Sequence, residues 1–153
     1  MMHVVLYQPE IPANTGNIAR TCAVTGSFLH LVRPLGFSTS DRYLKRAGLD
    51  YWPLVKLSYH DGMEEIFSAF PGNRFFFLTT RGALFYHQVA YRPGDFLVFG
   101  RETAGLPPEL LAEKKDRCLR IPMAGEVRSL NLANSVAVVL YEALRRQDFP
   151  GLV

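Results

Sequence analysis

Most apolar positions along this chain fall in short unbroken runs, and Pro, Gly and polar residues separate them. His3–Tyr7, Phe28–Val32, Val55–Tyr59, Arg74–Thr80, Asp95–Gly100 and Cys118–Pro122 are of this kind. Runs of that length, rich in Val, Leu and Phe, predict strands buried on both faces rather than alternating ones. Between them the spacing changes to that of helices. Asn17–Thr25 places Ile18, Ala19, Cys22 and Ala23 on one side, with Gly26 to end it. Ser40–Ala47 is a short basic helix opened by a Ser cap, Gly62–Phe70 a helix ending before Pro71, and Pro108–Glu113 a brief one. The longest pattern is Leu130–Arg146, which has no Gly or Pro and takes Ser129 as its N-cap. Leu130, Leu132, Ala133, Val136, Ala137, Val139, Leu140, Ala143 and Leu144 make it apolar on most sides, which predicts a buried helix. Its exceptions, Asn131, Asn134 and Ser135, share one face of the first turn. Two roles suit them: capping neighbouring loops, or lining a ligand pocket at a strand-to-helix junction.

Strands alternating with helices predict an α/β fold, a mostly parallel sheet with helices on both faces. The first β-α-β unit implies a right-handed crossover. In open α/β sheets ligands gather at the carboxyl ends of the strands. After the first strand comes PEIPANTGNIAR, after the Phe75 run TTRG, after the Phe96 run GRETAGLP, and after the last MAGEVRSLN. Each segment carries an arginine: Arg20, Arg81, Arg101 and Arg128. Random placement of 17 basic residues would put some there, yet four at one edge suit a polyanion such as an RNA backbone.

Composition narrows this only modestly. A chain of 153 residues, 48% hydrophobic and 20% charged, predicts one globular domain. A net charge of +3 biases it mildly toward anionic partners. No apolar run is long enough for a membrane span, and the first residues read as a strand rather than a signal peptide, so a cytoplasmic location is expected. Cys22 and Cys118 lack metal-ligand spacing and sit on apolar faces, so neither is a candidate nucleophile. The four histidines, His3, His30, His60 and His87, show no metal spacing either, and no metal is expected. Gly100 and Gly105 have the glycine spacing of a P-loop, but Leu106 and Pro107 replace its Lys and hydroxyl. There is no GxGxxG after a strand and no GxSxG elbow. Asn17 and Arg20 share a helix face; Glu102 lies two residues past a strand-ending glycine; Arg42, Lys45 and Arg46 form a basic face.

PEIPANTGNIAR (Pro9–Arg20), FGRETAGLP (Phe99–Pro107) and IPMAGEVRSLNLANSVAVVLYEA (Ile121–Ala143), with RAGLDY (Arg46–Tyr51), resemble the signature motifs of the SpoU-type SPOUT RNA methyltransferases. The motifs stand in the family's order and cover essentially the whole chain. The resemblance implies a single domain over residues 1–153 without a separate RNA-binding domain, an α/β fold with a C-terminal deep trefoil knot, and a homodimer with sites near its interface. It implies S-adenosylmethionine as cofactor, held at Leu78, Thr79, Gly100, Glu102, Ile121, Met123, Ser129 and Leu130. It implies a catalytic region lined by Asn14, Arg20, Glu102, Ser129 and Asn131. In length and in the wording of its motifs the chain looks most like the family's small single-domain members, and that resemblance implies 2′-O-methylation of the wobble nucleotide, cytidine or modified uridine, of leucine tRNAs. Methylation of another tRNA or rRNA site, and a non-catalytic RNA-binding module, are the alternatives. A small-molecule enzyme acting on a phosphorylated substrate is a further one. Ala133 and Gln8 depart from residues common in relatives, and the AGEVRS loop is of a variable kind.

Overall fold

A computed structural model describes the backbone of residues 1–153 and every side chain except those of residues 48–50. The centre of the RAGLDY segment therefore lies outside the described side chains. Seven strands form one sheet: β1 His3–Tyr7, β2 Phe28–Val32, β3 Lys56–His60, β4 Phe75–Leu78, β5 Leu84–Phe85, β6 Phe96–Phe99 and β7 Cys118–Arg120. Their order is β3-β2-β1-β6-β4-β7-β5, and every pairing between them is parallel. Five helices complete the layers: α1 Pro12–Thr25, α2 Arg42–Gly48, α3 Met63–Ala69, α4 Pro108–Glu113 and α5 Leu132–Arg145.

The unbroken apolar runs have the predicted cause: both faces of the sheet are covered. Along β1, Val4 and Leu6 join a core with Ile18 and Cys22 of α1 and Val136, Val139 and Leu140 of α5. Val5, pointing the other way, joins Met63 and Ile66 of α3, with Leu110 and Leu111 of α4 packed alongside. Period-two alternation thus divides one apolar strand between two cores.

Four local expectations are corrected. Helix α1 begins at Pro12, not Asn17, so PANTG forms its first turns. Proline is favoured there because its missing N–H is one the helix would leave unpaired anyway. Helix α5 is capped by Asn131 rather than Ser129: the Asn131 Oδ1 accepts from the Asn134 N–H at 3.1 Å. The basic helix starts at Arg42, and Asp41 rather than Ser40 accepts the Tyr43 N–H, at 2.7 Å. Finally, α5 is not buried on all sides. Asn134, Val138, Tyr141 and Arg145, spaced four, three and four, form an exposed stripe, with Val138 38% and Tyr141 41% exposed.

Strand β7 lies between β4 and β5, although only residues 79–83 join those two strands. That short connection must pass β7 closely. The Thr79 N–H donates to the Leu119 carbonyl at 2.9 Å, and a Cβ on Gly82 would sit 2.4 Å from the Leu119 carbonyl carbon. No side chain fits there, so glycine is required.

Candidate functional site

The carboxyl ends of β4, β6 and β7 open into one cavity of about 760 Å³, closed on the far side by residues 128–132 and Ser135. Such a volume is typical of a site for a small organic ligand. Leu78, Thr79, Gly100, Glu102, Ile121, Met123, Ser129 and Leu130 all line it. So do Asn14, Asn131, and the arginines Arg81, Arg101 and Arg128. Residues more than a hundred positions apart meet here because β4, β6 and β7 end at the same edge.

The walls differ in how they are held. Glu102 sits two residues past the end of β6 and turns back toward the start of α1. Its Oε1 accepts the Glu10 N–H at 2.9 Å; its Oε2 accepts the Ile11 N–H at 2.8 Å and the Asn14 Nδ2 at 3.3 Å. Glu10 answers in the opposite direction. Its Oε1 accepts the Thr103 N–H at 3.0 Å and the Thr103 hydroxyl at 2.8 Å. Those bonds, with Arg101 nearby, hold the Glu10 carboxyl below the usual carboxylate range. Hydrogen bonds to ionised acceptors are roughly twice as strong as neutral ones, so this crossed pair locks the two loops together. Asn14, buried within α1, carries the lock further: its Oδ1 accepts from the Asn131 Nδ2 at 3.2 Å. Asn131 in turn caps α5. One chain of hydrogen bonds therefore runs from the loop after β6, through α1, to the start of the last helix.

Residues 121–131 are built differently. Within them the Val127 N–H to Ala124 carbonyl bond, 3.1 Å, is the one internal backbone bond among the described residues. Nearly all of the segment is exposed, Ser129 and Leu130 included. The Leu130 and Asn131 carbonyls accept from the Ser135 hydroxyl and N–H, and most of the other backbone groups of the segment are left to water or to a ligand in the cavity.

Arg20 is absent from this cavity. It lies on the outer face of α1 with Asn17 and Val24, and its guanidinium stands 4.6 Å from the centre of the Tyr51 ring. The shared face of Asn17 and Arg20 is present and exposed, as the spacing predicts, but neither residue lines the cavity that Asn14 lines. Three site features lie outside the residues the sequence singles out: Glu10, Thr103 and Arg120; Ser135, one of its polar trio, does line the cavity. Arg120 is the last residue of β7 rather than part of the loop after it, so the loop sequence does not contain it. An acid in the first loop and a hydroxyl beside Glu102 were visible, but nothing local paired them.

The histidines form a separate feature on the sheet. His3 Nδ1 lies 2.9 Å from His30 Nε2, and His30 Nδ1 lies 3.0 Å from His60 Nε2, across three adjacent strands. Burial lowers His3 to about 4 and His30 to about 3. Burial also pushes the Cys22 thiol up to about 12, so it keeps its proton.

A family model described as the SpoU rRNA Methylase family matches residues 1–141. A curated relative from Methylovorus glucosotrophus, tRNA (cytidine(34)-2′-O)-methyltransferase, is 52% identical over 154 aligned positions, covering all of both chains. A solved structure described as giving insights into the 2-OH methylation of C/U34 on tRNA is 53% identical, with a TM-score of 0.92, covering 97% of each chain. An AdoMet-bound rRNA methyltransferase from Sinorhizobium meliloti is 28% identical with a TM-score of 0.82, covering 94% of this chain and 56% of the other.

Proposed function

We propose that this chain, which belongs to the SpoU methylase family, is a tRNA 2′-O-methyltransferase that uses S-adenosylmethionine to methylate the wobble nucleotide, position 34 in the relative's name. The observation that carries the reading is that one cavity gathers all eight positions expected to hold the cofactor and four of the five expected to act on the substrate. Among leucine tRNAs, cytidine or modified uridine at that position is the expected target.

The cavity suits this cofactor. Leu78, Ile121, Met123 and Leu130 offer an apolar lining, and the sparsely bonded backbone of residues 121–129 offers donors and acceptors for a purine and an amino-acid end. When bound, the cofactor supplies an electrophilic methyl group on a sulfonium. The protein's task is to present a ribose hydroxyl in line with it, remove the proton and stabilise charge on oxygen. Glu102 is a brace in this reading: both its oxygens are engaged by the first loop. Asn14 and Asn131 hold the wall where the ribose docks. The proton passes to phosphate, to water or to Ser129, whose side chain is exposed on the cavity. An arginine has five donors and no acceptor, so Arg20 is a clamp for phosphate and for the developing oxyanion rather than a base.

Arg20 does this across a homodimer. The exposed stripe of α5, with Val138 and Tyr141, and the exposed face of α1, with Arg20 and Val24, are neighbouring surfaces because the two helices pack together. An α5 sequence apolar on most sides, yet half open in one chain, is what a second copy would cover. In the pair, each Arg20 serves the cavity of the other copy. The threading of β7 between β4 and β5, bridged by so short a loop, supports the expected C-terminal trefoil knot. The same unit supplies the RNA surface, with no further domain needed. Among the described residues no helix is long and apolar enough to cross a membrane; in this reading the protein works in the cytoplasm, on tRNA.

The test is mass spectrometry of wobble nucleosides from leucine tRNAs of cells lacking the protein, with the purified protein added back. Loss and restoration of the 2′-O-methyl group is the expected result; unchanged nucleosides would overturn the reading. For the clamp, Arg20→Lys keeps the charge and loses the fork, so turnover near wild type would sink that role. Mixing inactive Arg20→Ala chains with inactive cavity variants should restore activity to mixed dimers.

A further inference from the structure

A second, smaller cavity of about 280 Å³ lies beside the first and shares Thr80, Arg120, Ile121, Met123 and Arg128 with it. Its own wall is formed by Phe85 of β5 and by Pro122, Ala124, Gly125 and Val127. Three observations define its chemistry. Arg120 and Arg128 are both exposed and make no ion pair with a carboxylate among the described residues. Among those residues, the single carboxylate on either cavity is Glu102, whose oxygens are engaged elsewhere; Glu126 is exposed and lines neither. The Arg120 guanidinium lies over the Phe85 ring, 4.6 Å from its centre. An arginine held against an aromatic ring has little side-chain freedom left to lose. Its open face is a planar surface on which a nucleobase can stack.

We infer that this cavity is a subsite for the RNA nucleotide next to the methylated one, its base stacked on the Arg120–Phe85 pair and its phosphate held by Arg128. The inference rests on the function proposed above and adds to it a place where the sequence around the target is sensed. The geometry favours it because the two cavities share a wall. A strand whose ribose enters the larger one must carry an adjoining phosphate and base past Arg128. Unpaired guanidinium groups on that wall provide the charge and the plane such a strand presents.

The test uses the full-length protein and an anticodon stem–loop RNA that contains the wobble nucleotide. It is compared with two RNAs in which the 5′ or the 3′ neighbour lacks its base but keeps its ribose and phosphate. For wild type, removal of one neighbour's base should weaken binding about tenfold. Arg120→Ala should bind the intact RNA about tenfold more weakly and show no further loss with the abasic one. Arg120→Lys, which keeps the charge without the plane, should also lose the dependence on the base while binding intact RNA better than Arg120→Ala. Thermal unfolding and circular dichroism of each variant serve as the control for folding. Should Arg120→Ala fail to fold, Phe85→Leu removes the ring and should give the same loss of base dependence. Wild type that ignores both abasic sites, or a base dependence unchanged in the variants, overturns the inference. If wild type methylates the intact stem–loop but ignores the neighbours, this inference alone falls. If it binds the cofactor and never methylates the RNA, the function proposed above falls with it.

Discussion

On one side of the carboxyl edge, residues 8–14 and 100–105 hold each other through Glu10, Glu102, Thr103 and Asn14, with two carboxylates crossing in opposite directions. On the other side, residues 121–131 keep one internal backbone bond among the described residues and stand open to solvent. Both flank the same cavity. The braced side has spent its polar groups on the protein and supplies fixed geometry. The open side has kept its groups and supplies the contacts a ligand completes. A site divided in this way recognises its ligand with the loose wall and holds its shape with the tight one, which limits the ordering that binding must supply.

The contrast breaks most readily at Glu102. Glu102→Ala strands two backbone N–H groups and the Asn14 amide, and should lower unfolding free energy by about 2–4 kcal/mol. Urea denaturation measures it, and a loss below about 0.5 kcal/mol would show that the brace is not one. Glu102→Gln, which keeps one acceptor, should lose roughly half as much.

The histidine chain on β1, β2 and β3 gives the next effect, away from both walls. His3, His30 and His60 titrate below the ordinary value in the folded chain, chiefly through burial. The unfolded chain therefore binds more protons in mild acid. Stability is complete above about pH 6.5 and declines as pH falls through that value, levelling near the folded-state values of about 4 and about 3. Allowing for solvent screening at the half-exposed His60, the loss between pH 7 and pH 5 should be on the order of 2 kcal/mol. A flat profile over that range would exclude the chain as a source of acid sensitivity. The residues that face it are Phe28, Phe70 and Phe96, with Arg33, Asp61 and Glu65 near His60.

Asn14 tests the connection between the two walls. Asn14→Ala removes partners from both Glu102 and Asn131, so it should cost about 1–2 kcal/mol and lower turnover as well. Ser129→Ala lies at the small end. Its side chain is exposed and makes no hydrogen bond to the protein among the described residues, so stability should change by less than about 0.5 kcal/mol while turnover falls. Amide hydrogen exchange sharpens the same comparison without mutation. Residues 121–131 should exchange rapidly in the free protein and slow on addition of S-adenosylmethionine, whereas residues 8–14 should change little. Equal protection of both segments in the free protein would erase the distinction.

Local pattern alone determined a good deal of this molecule. Six of the seven strands were legible because a strand covered on both faces has to be apolar throughout, and Pro108–Glu113 was read to the residue because proline marks its start. The strand ends, and so the cavity, followed from the same reasoning. Where two signals competed, the pattern pointed wrongly. Pro12 reads as a loop residue and is instead the first residue of a helix; Ser129 and Asn131 are both good caps, and only the latter meets the Asn134 N–H. Strand β5, two residues long, has no sequence signal of its own, since it exists by pairing with β7. Only the tertiary structure decided the role of Glu102, because its partners lie 88 to 92 positions away, and the outward direction of Arg20. A sequence states which groups are available at a strand end. Which of them are consumed by the protein, and which are left for a ligand, depends on what the fold brings within hydrogen-bonding distance.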